Sequence, residues 1–284
     1  MGKLLDASQV AAYQRDGYHF PIRIFSAQEA GTLRRRLEAV ESASGGKLPP
    51  RMNQKPHLLY TWLNDLIRHP RILDAVEDVL GPDLLCWSSQ FFIKNAGDPG
   101  YVSWHQDGTY WGLSSPDVVT AWVAFTPSKV ESGCMRVVAG TQHQKVPHTD
   151  TFAEAILLSR GQEIAVEVKE GAAVDIQLEP GEMSLHHVLL FHASEPNRSS
   201  DRRIGFAIRY IPASVYQTSG IRESATLVRG TDRSGHFDLE QPPESDMHPD
   251  AVRRHQEIVE KQLKVLYAGA AKAGKLGEGI VPPR

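Results

Sequence analysis

Cysteine is scarce: Cys86 and Cys134 are the only two in 284 residues. Two thiols without metal-like spacing exclude a disulfide scaffold and a cysteine-built zinc site, and they fit reduced core residues. Long apolar runs are missing as well, and nothing approaches the roughly 20 residues that a membrane-spanning helix needs. The opening Met1-Gly2-Lys3-Leu4-Leu5-Asp6 lacks the apolar stretch of a secretory signal. There is no surplus of positive charge, since 31 Lys and Arg stand against 34 Asp and Glu, a formal net charge of -3. That balance excludes the basic footprint that nucleic-acid binding leaves. These absences point to a cytoplasmic protein, monomer or homodimer, whose partner is a small molecule rather than a membrane or a nucleic acid. No internal repeat and no linker divides the chain, so residues 1–284 read as one domain.

Hydrophobic residues make up 41% of the chain, enough for a packed core. Ser26-x-x-Glu29 is a capping box, and Ala30, Leu33, Leu37 and Val40 follow at helical spacing. They predict a helix over 27–43, with Arg34, Arg35 and Arg36 on its solvated face. Pro70 opens a second helix whose stripe of Ile72, Leu73, Val76 and Val79 stops at Gly81-Pro82. Beyond it the period falls to two. Segments 84–94, 101–107, 118–126, 134–138, 164–168, 172–177, 183–191 and 203–211 read as strands. A helical layer over about 8–82 and a strand-rich core over about 84–212 predict a mainly β fold with flanking helices. The expected architecture is a double-stranded β-helix, the cupin-like jelly roll. Residues 141–162 read as a long connection and 213–249 as a lid-like segment. Val252, Gln256, Val259 and Leu263 mark a closing helix over about 249–270, and the Gly/Lys-rich end from Ala271 is expected to be mobile.

The chemistry concentrates in Trp104-His105-Gln106-Asp107 and in Phe191-His192-Ala193-Ser194. Residues two apart on a strand share a face, so His105 and Asp107 can reach one ion, and His192 supplies a second imidazole. Two His and one carboxylate make the facial triad of non-haem Fe(II) oxygenases, which leaves positions open for a co-substrate and O2. Other histidines have blander readings. His186 and His187 are neighbours on a strand, so at most one points inward, with an ordinary hydrogen-bonding role expected. His143 and His148 read as solvated.

The two segments, with Pro196-Asn197-Arg198 and an Arg eleven residues past His192, resemble the phytanoyl-CoA dioxygenase family of Fe(II)/2-oxoglutarate enzymes. Val119–Phe125 is similar to the family's core strand with its Trp, Glu131–Val138 to its Gly turn, and Asp16-Gly17-Tyr18 to its opening. Ala139 and Thr141-Gln142-His143 depart from the usual Pro and Ser-His pair. Related halogenases carry a small residue where Asp107 stands, so Asp107 argues for oxygen transfer.

The resemblance implies Fe(2+) held by His105, Asp107 and His192, with 2-oxoglutarate as co-substrate and O2 as oxidant. It also implies that Arg203 pairs with the far carboxylate of 2-oxoglutarate, that Ser194 and Trp122 line it, and that Gln106 hydrogen-bonds to it. Arg202, of opposite strand parity, is expected to point away. Arg209 shares the face of Arg203 and is a candidate second cation of the cavity. Gln90 and Lys94 are candidate substrate residues. Trp104, Tyr110 and Trp111 read either as substrate-stacking aromatics or as barrel rim. The segment of Arg51, Asn53, Lys55, His57, Tyr60 and Trp62 reads as a pocket wall or as a solvated loop. The implied activity is hydroxylation of a small metabolite, with desaturation, cyclisation or epimerisation on the same iron, or a non-catalytic jelly-roll binding protein, as alternatives.

Overall fold

Local capping starts the first helices of the computed structural model, which describes residues 2–151 and 156–270. The Asp6 side chain accepts from the N–H groups of Ser8 and Gln9 at the start of α1 (Ala7–Asp16), a helix not expected from the sequence. After β1 (Tyr18–Arg23), Ser26 and Glu29 make a reciprocal capping box that opens α2 (Ala27–Ala43). Two further helices, α3 (Thr61–Leu66) and α4 (Pro70–Leu80), complete the layer. The strands that follow are β2 (Leu84–Lys94), β3 (Val102–His105), β4 (Val119–Ala124), β5 (Met135–Val138), β6 (His148–Asp150) and β7 (Gln162–Ile164). Next come β8 (Val174–Ile176), β9 (Glu182–His187), β10 (Phe191–Ser194), β11 (Arg203–Pro212), β12 (Ser224–Arg229), β13 (Asp238–Leu239) and the last helix, α5 (Pro249–Leu266).

The strands assemble as a jelly roll. A seven-stranded sheet runs β1-β9-β4-β11-β2-β12-β13, and a four-stranded sheet runs β3-β10-β5-β8. Strands β6 and β7 pair separately. Alternation decides what each strand does. On β11, Ile204, Phe206, Ile208 and Tyr210 join Val119, Ala121 and Val123 of β4 in a core with Leu63, Ile72 and Val76 of the helices. Each such buried Ile, Leu or Phe contributes roughly 1.5–3 kcal/mol. Arg203, Ala207 and Arg209 have the opposite parity and line a cavity between the sheets. The large sheet is thus covered on both faces.

Several expected boundaries change. The strand predicted over 101–107 stops at His105, and Asp107–Tyr110 is a 3-10 turn. The segment 183–191 divides into β9 and β10 around a turn, and the strand expected over 164–168 ends at Ile164 as β7. The lid-like reading of 213–249 fails for Ser224–Arg229, because β12 pairs antiparallel with β2 inside the large sheet. The connection 141–162 contains β6, and α5 ends at Leu266 rather than near 270. The end from Ala271, expected to be mobile, lies outside the described residues. Among the described residues no helix is long and apolar enough to cross a membrane.

Candidate active site

His105 ends β3, and His192 is its register partner on β10. Their ring centroids are 4.0 Å apart. His105 Nδ1 lies 2.9 Å from the Ser103 carbonyl and 3.1 Å from the His192 carbonyl, and His192 Nδ1 lies 3.0 Å from the Leu190 carbonyl. Carbonyls only accept, so each Nδ1 carries the proton and each Nε2 offers a lone pair, the form that binds a metal. Asp107 comes just after the strand. Its backbone N–H donates to the Val188 carbonyl at 2.9 Å, which turns the chain back towards the sheet. Its Oδ1 then sits 3.5 Å from His105 Nε2. One ligand atom from each of the three buried residues lies within 4.8 Å of the others.

The charge states suit a cation. Burial alone would raise the Asp107 carboxyl, but the contact with His105 and the nearby Arg209 outweigh it and hold the group well below the usual carboxylate range. Burial, reinforced by His105, pushes His192 well below the usual imidazole value. An ionised Asp107 and a neutral His192 are the forms that bind a divalent metal.

The triad opens onto an inner cavity whose walls include Trp122, Ser194, Arg203 and Arg209. Arg203 is buried, donates to the Gly133 carbonyl at 2.8 Å, and lies 5.4 Å from the centre of the Trp122 ring. Its Nε has no partner. Burial lowers this guanidinium to about 10. Two glycines make the arrangement possible. A Cβ at Gly133, whose φ is +68°, would lie 2.1 Å from the Glu195 carbonyl oxygen, and one at Gly205 would lie 1.8 Å from the Trp122 ring. Arg202 points the other way, where it makes two 2.8 Å hydrogen bonds to Glu41 and another to Asn95.

An outer cavity shares Phe92, Asp107 and Arg209 with the inner one. Its volume is about 650 Å³, including the part open to solvent. Trp87, Tyr110, Trp111 and Glu223 form its sides, and Gln262, Val265 and Leu266 of α5 close it. Strand β2 contributes through a bulge: Arg209 pairs with Ser88 and Tyr210 with Cys86, so Trp87 is an extra residue. The bulge brings both Trp87 and Ser88 to the cavity.

A candidate metal centre beside a buried arginine on this fold can be set against known proteins. The chain matches the family model for phytanoyl-CoA dioxygenase (PhyH) over residues 13–205. It belongs to the PhyH family. A probable alpha-ketoglutarate-dependent hypophosphite dioxygenase from Stutzerimonas stutzeri is 27% identical over 238 residues, covering 75% of this chain and 81% of the relative. The solved non-heme monooxygenase ThoJ is 37% identical with a TM-score of 0.81, over 91% of this chain and 97% of its own. CytC3, solved with Fe(II) and alpha-ketoglutarate, is 26% identical with a TM-score of 0.65, over 87% and 97%. This PhyH-family protein is therefore an enzyme, an Fe(II)/2-oxoglutarate-dependent oxygenase that uses O2.

The PhyH-family site gathers most of the residues expected from sequence, with four corrections. Gln106 does not reach the cavity. It has the opposite strand parity to its neighbours, its Nε2 donates to the Gln144 and Leu189 carbonyls, and its Oε1 accepts from Val146 N–H. Lys94 lines neither cavity. It is fully buried, and its ammonium donates to Ser194 Oγ at 2.7 Å and to the Ser194 and Glu195 carbonyls. It braces Ser194 from behind, and burial with the charge of Arg203 lowers it to about 7. His186 is more than a routine hydrogen-bonding residue: it lines the inner cavity 5.1 Å from the His192 ring, and its Nδ1 has no partner. His148 is half-buried rather than solvated, and its Nε2 accepts from Gln106 N–H at 2.9 Å.

Gln90, Tyr110, Trp111 and Arg209 line the outer cavity, whereas Trp104 lies under Arg136 at 5.7 Å. The segment 51–62 is not a solvated loop. Lys55 and His57 are fully buried, Lys55 pairs with Glu240 at 2.6 Å, and His57 Nδ1 meets Ser89 Oγ at 2.6 Å. Only Gln54 of that stretch reaches the outer cavity. Glu223 escaped the sequence reading. It precedes β12, whose composition of Thr, Leu and Val is its one strand signal.

Proposed function

We propose that this enzyme hydroxylates a C–H bond of a small-molecule metabolite, releasing succinate and CO2 from 2-oxoglutarate. The observation that carries the reading is the convergence of three buried ligand atoms within 4.8 Å on a cavity that also holds an incompletely partnered guanidinium. In this reading His105, Asp107 and His192 hold Fe(II). Iron bound there, with 2-oxoglutarate and O2, supplies the oxidising power for breaking an unactivated C–H bond. Arg203 receives the far carboxylate of 2-oxoglutarate, for which a planar guanidinium offers parallel donors. Trp122 and Ser194 fix the walls around it, and Lys94 fixes Ser194. The outer cavity receives the substrate, and α5 excludes water from it.

A relative named 1-deoxypentalenic acid 11-beta-hydroxylase, 30% identical over 172 residues, is consistent with the hydroxylation reading. The test is a metabolite screen scored by substrate-dependent succinate formation and O2 uptake, followed by product mass. A gain of one oxygen atom is expected. A loss of two hydrogens, or an unchanged mass, would assign desaturation, ring closure or epimerisation instead.

A further inference from the structure

Glu223 is the most unusual group of the outer cavity. It is 2% exposed. Its Oε2 accepts from Trp87 Nε1 at 3.1 Å and from Gln217 Nε2 at 2.6 Å, while its Oε1 is buried with no partner. No described Lys, Arg or His pairs with it. Lys55, whose charge it feels, is already engaged with Glu240 and the Ser224 carbonyl. Burial raises the carboxyl above its ordinary value, as expected for a negative charge without a counter-ion.

The surroundings of Glu223 favour positive charge. Gln162 and Gln262 line the same cavity, and each has a buried side-chain oxygen without a partner. The Trp87 and Trp111 rings stand 4.9 Å apart on its wall, and indole faces attract cations, as Arg209 already does at 5.2 Å from the centre of the Trp111 ring. The cavity's own cation, Arg209, reaches the inner cavity as well and is balanced by Asp107. Glu223 lines the outer cavity and not the inner one, and no cationic side chain of the described residues pairs with it.

We propose that the outer cavity takes a substrate bearing a cationic nitrogen, an ammonium or alkylated amine, which pairs with Glu223 Oε1 against the indoles of Trp87 and Trp111. This rests on the reading of that cavity as the substrate room of the oxygenase. A buried carboxylate with a free oxygen is costly alone and becomes favourable when a cation arrives, so it selects for charge as well as for shape.

The test uses the full chain loaded with Fe(II) and 2-oxoglutarate without O2, and three probes of similar size: phenethylammonium, phenethyl alcohol and 3-phenylpropanoate. Calorimetry and tryptophan fluorescence read binding. The wild type is expected to prefer the ammonium over the alcohol by about tenfold or more and to reject the carboxylate. Glu223→Gln, which keeps the volume, should reduce the ammonium-to-alcohol ratio to near one. Trp111→Leu should weaken the ammonium several-fold more than the alcohol, and it decides the matter if Glu223→Gln does not fold. Equal or tighter binding of the alcohol or carboxylate by the wild type, no ammonium binding at all, or an unchanged ratio in the variants would overturn the proposal. Binding of 2-oxoglutarate to the Fe(II)-loaded protein is read separately, without probe, from its visible charge-transfer band. Absence of that band would overturn the co-substrate reading while leaving the probe selectivity readable.

Discussion

The backbone carbonyl of His192 lies 3.1 Å from His105 Nδ1, so the main chain of one candidate ligand orients the ring of the other. The two residues are also register partners on β3 and β10. Position and tautomer are therefore set by the same strand pairing. A shift of one residue between these strands would turn one of the pair to the opposite face.

From this follows the first expectation. His105→Ala, Asp107→Ala and His192→Ala should each abolish metal-dependent turnover, with folded protein that no longer retains one Fe(II) per chain. Metal content and succinate release are the measurements. Full activity in His192→Ala would sink the triad assignment.

Arg203 and Arg202 are neighbours with opposite roles. Leaving a buried carboxylate without its cation costs roughly 3–5 kcal/mol, several hundredfold or more in affinity. Arg203→Ala should raise the 2-oxoglutarate requirement by that order while iron still binds. Arg202 makes two 2.8 Å bonds to Glu41, whose side chain is only 9% exposed. Arg202→Ala should leave the co-substrate requirement unchanged and lower the melting temperature, because the buried Glu41 carboxylate loses its partner. The reverse pattern in saturation curves would show that the wrong arginine had been assigned.

Beneath the outer cavity, Lys55 and Glu240 are each 1% exposed and 2.6 Å apart. Glu240→Ala leaves a buried ammonium unpaired, at a cost of roughly 3–5 kcal/mol. The Lys55→Met, Glu240→Leu double variant should recover part of that loss, since Ser224 Oγ and Thr226 Oγ1 also bond to Glu240. Denaturant titrations of the two proteins decide. Equal destabilisation would mean that the pair is needed for packing rather than for charge balance.

His255 on α5 gives stability a pH dependence. Burial lowers its value to about 4, although its Nε2 donates to the Gln54 carbonyl at 2.7 Å. The unfolded chain takes up this proton near pH 6.5 and the folded chain does not, so protons favour unfolding in between. Stability from this group is full above about pH 6.5 and falls by about 1.4 kcal/mol per unit down to pH 4. His255→Gln, which keeps a donor, should flatten the melting temperature over that window. An unchanged slope would assign the acid sensitivity to other groups.

How much of this was legible in the sequence depends on range. The helices of α2 and α4 follow from local signals, Ser26-Glu29 and Pro70, and the structure has them at those boundaries. The long strand Leu84–Lys94 likewise has the boundaries read from the sequence. The proximity of His105, Asp107 and His192 was legible because two lie in one short motif and the family pattern supplies the third. Lys94 and Gln90 share a strand face, and alternation could not tell that Lys94 meets Ser194 while Gln90 meets open space. Glu223 and Lys55 were illegible for a different reason. Charged residues in a polar stretch read as solvated, and only the packing of β12 and α5, distant in sequence, buries them.

The helix α5 supplies Gln262, Val265 and Leu266 to the outer cavity, while the metal triad lies wholly on or beside strands of the barrel. On the proposed reading, part of the substrate wall is thus written in a stretch of the gene remote from the triad, although Asp107 itself lines the same cavity. If the outer cavity takes the substrate, mutations on the inward face of α5 should retune what the enzyme accepts without touching His105, Asp107 or His192. In a lineage of such oxygenases this helix is a natural place for a new substrate to be acquired.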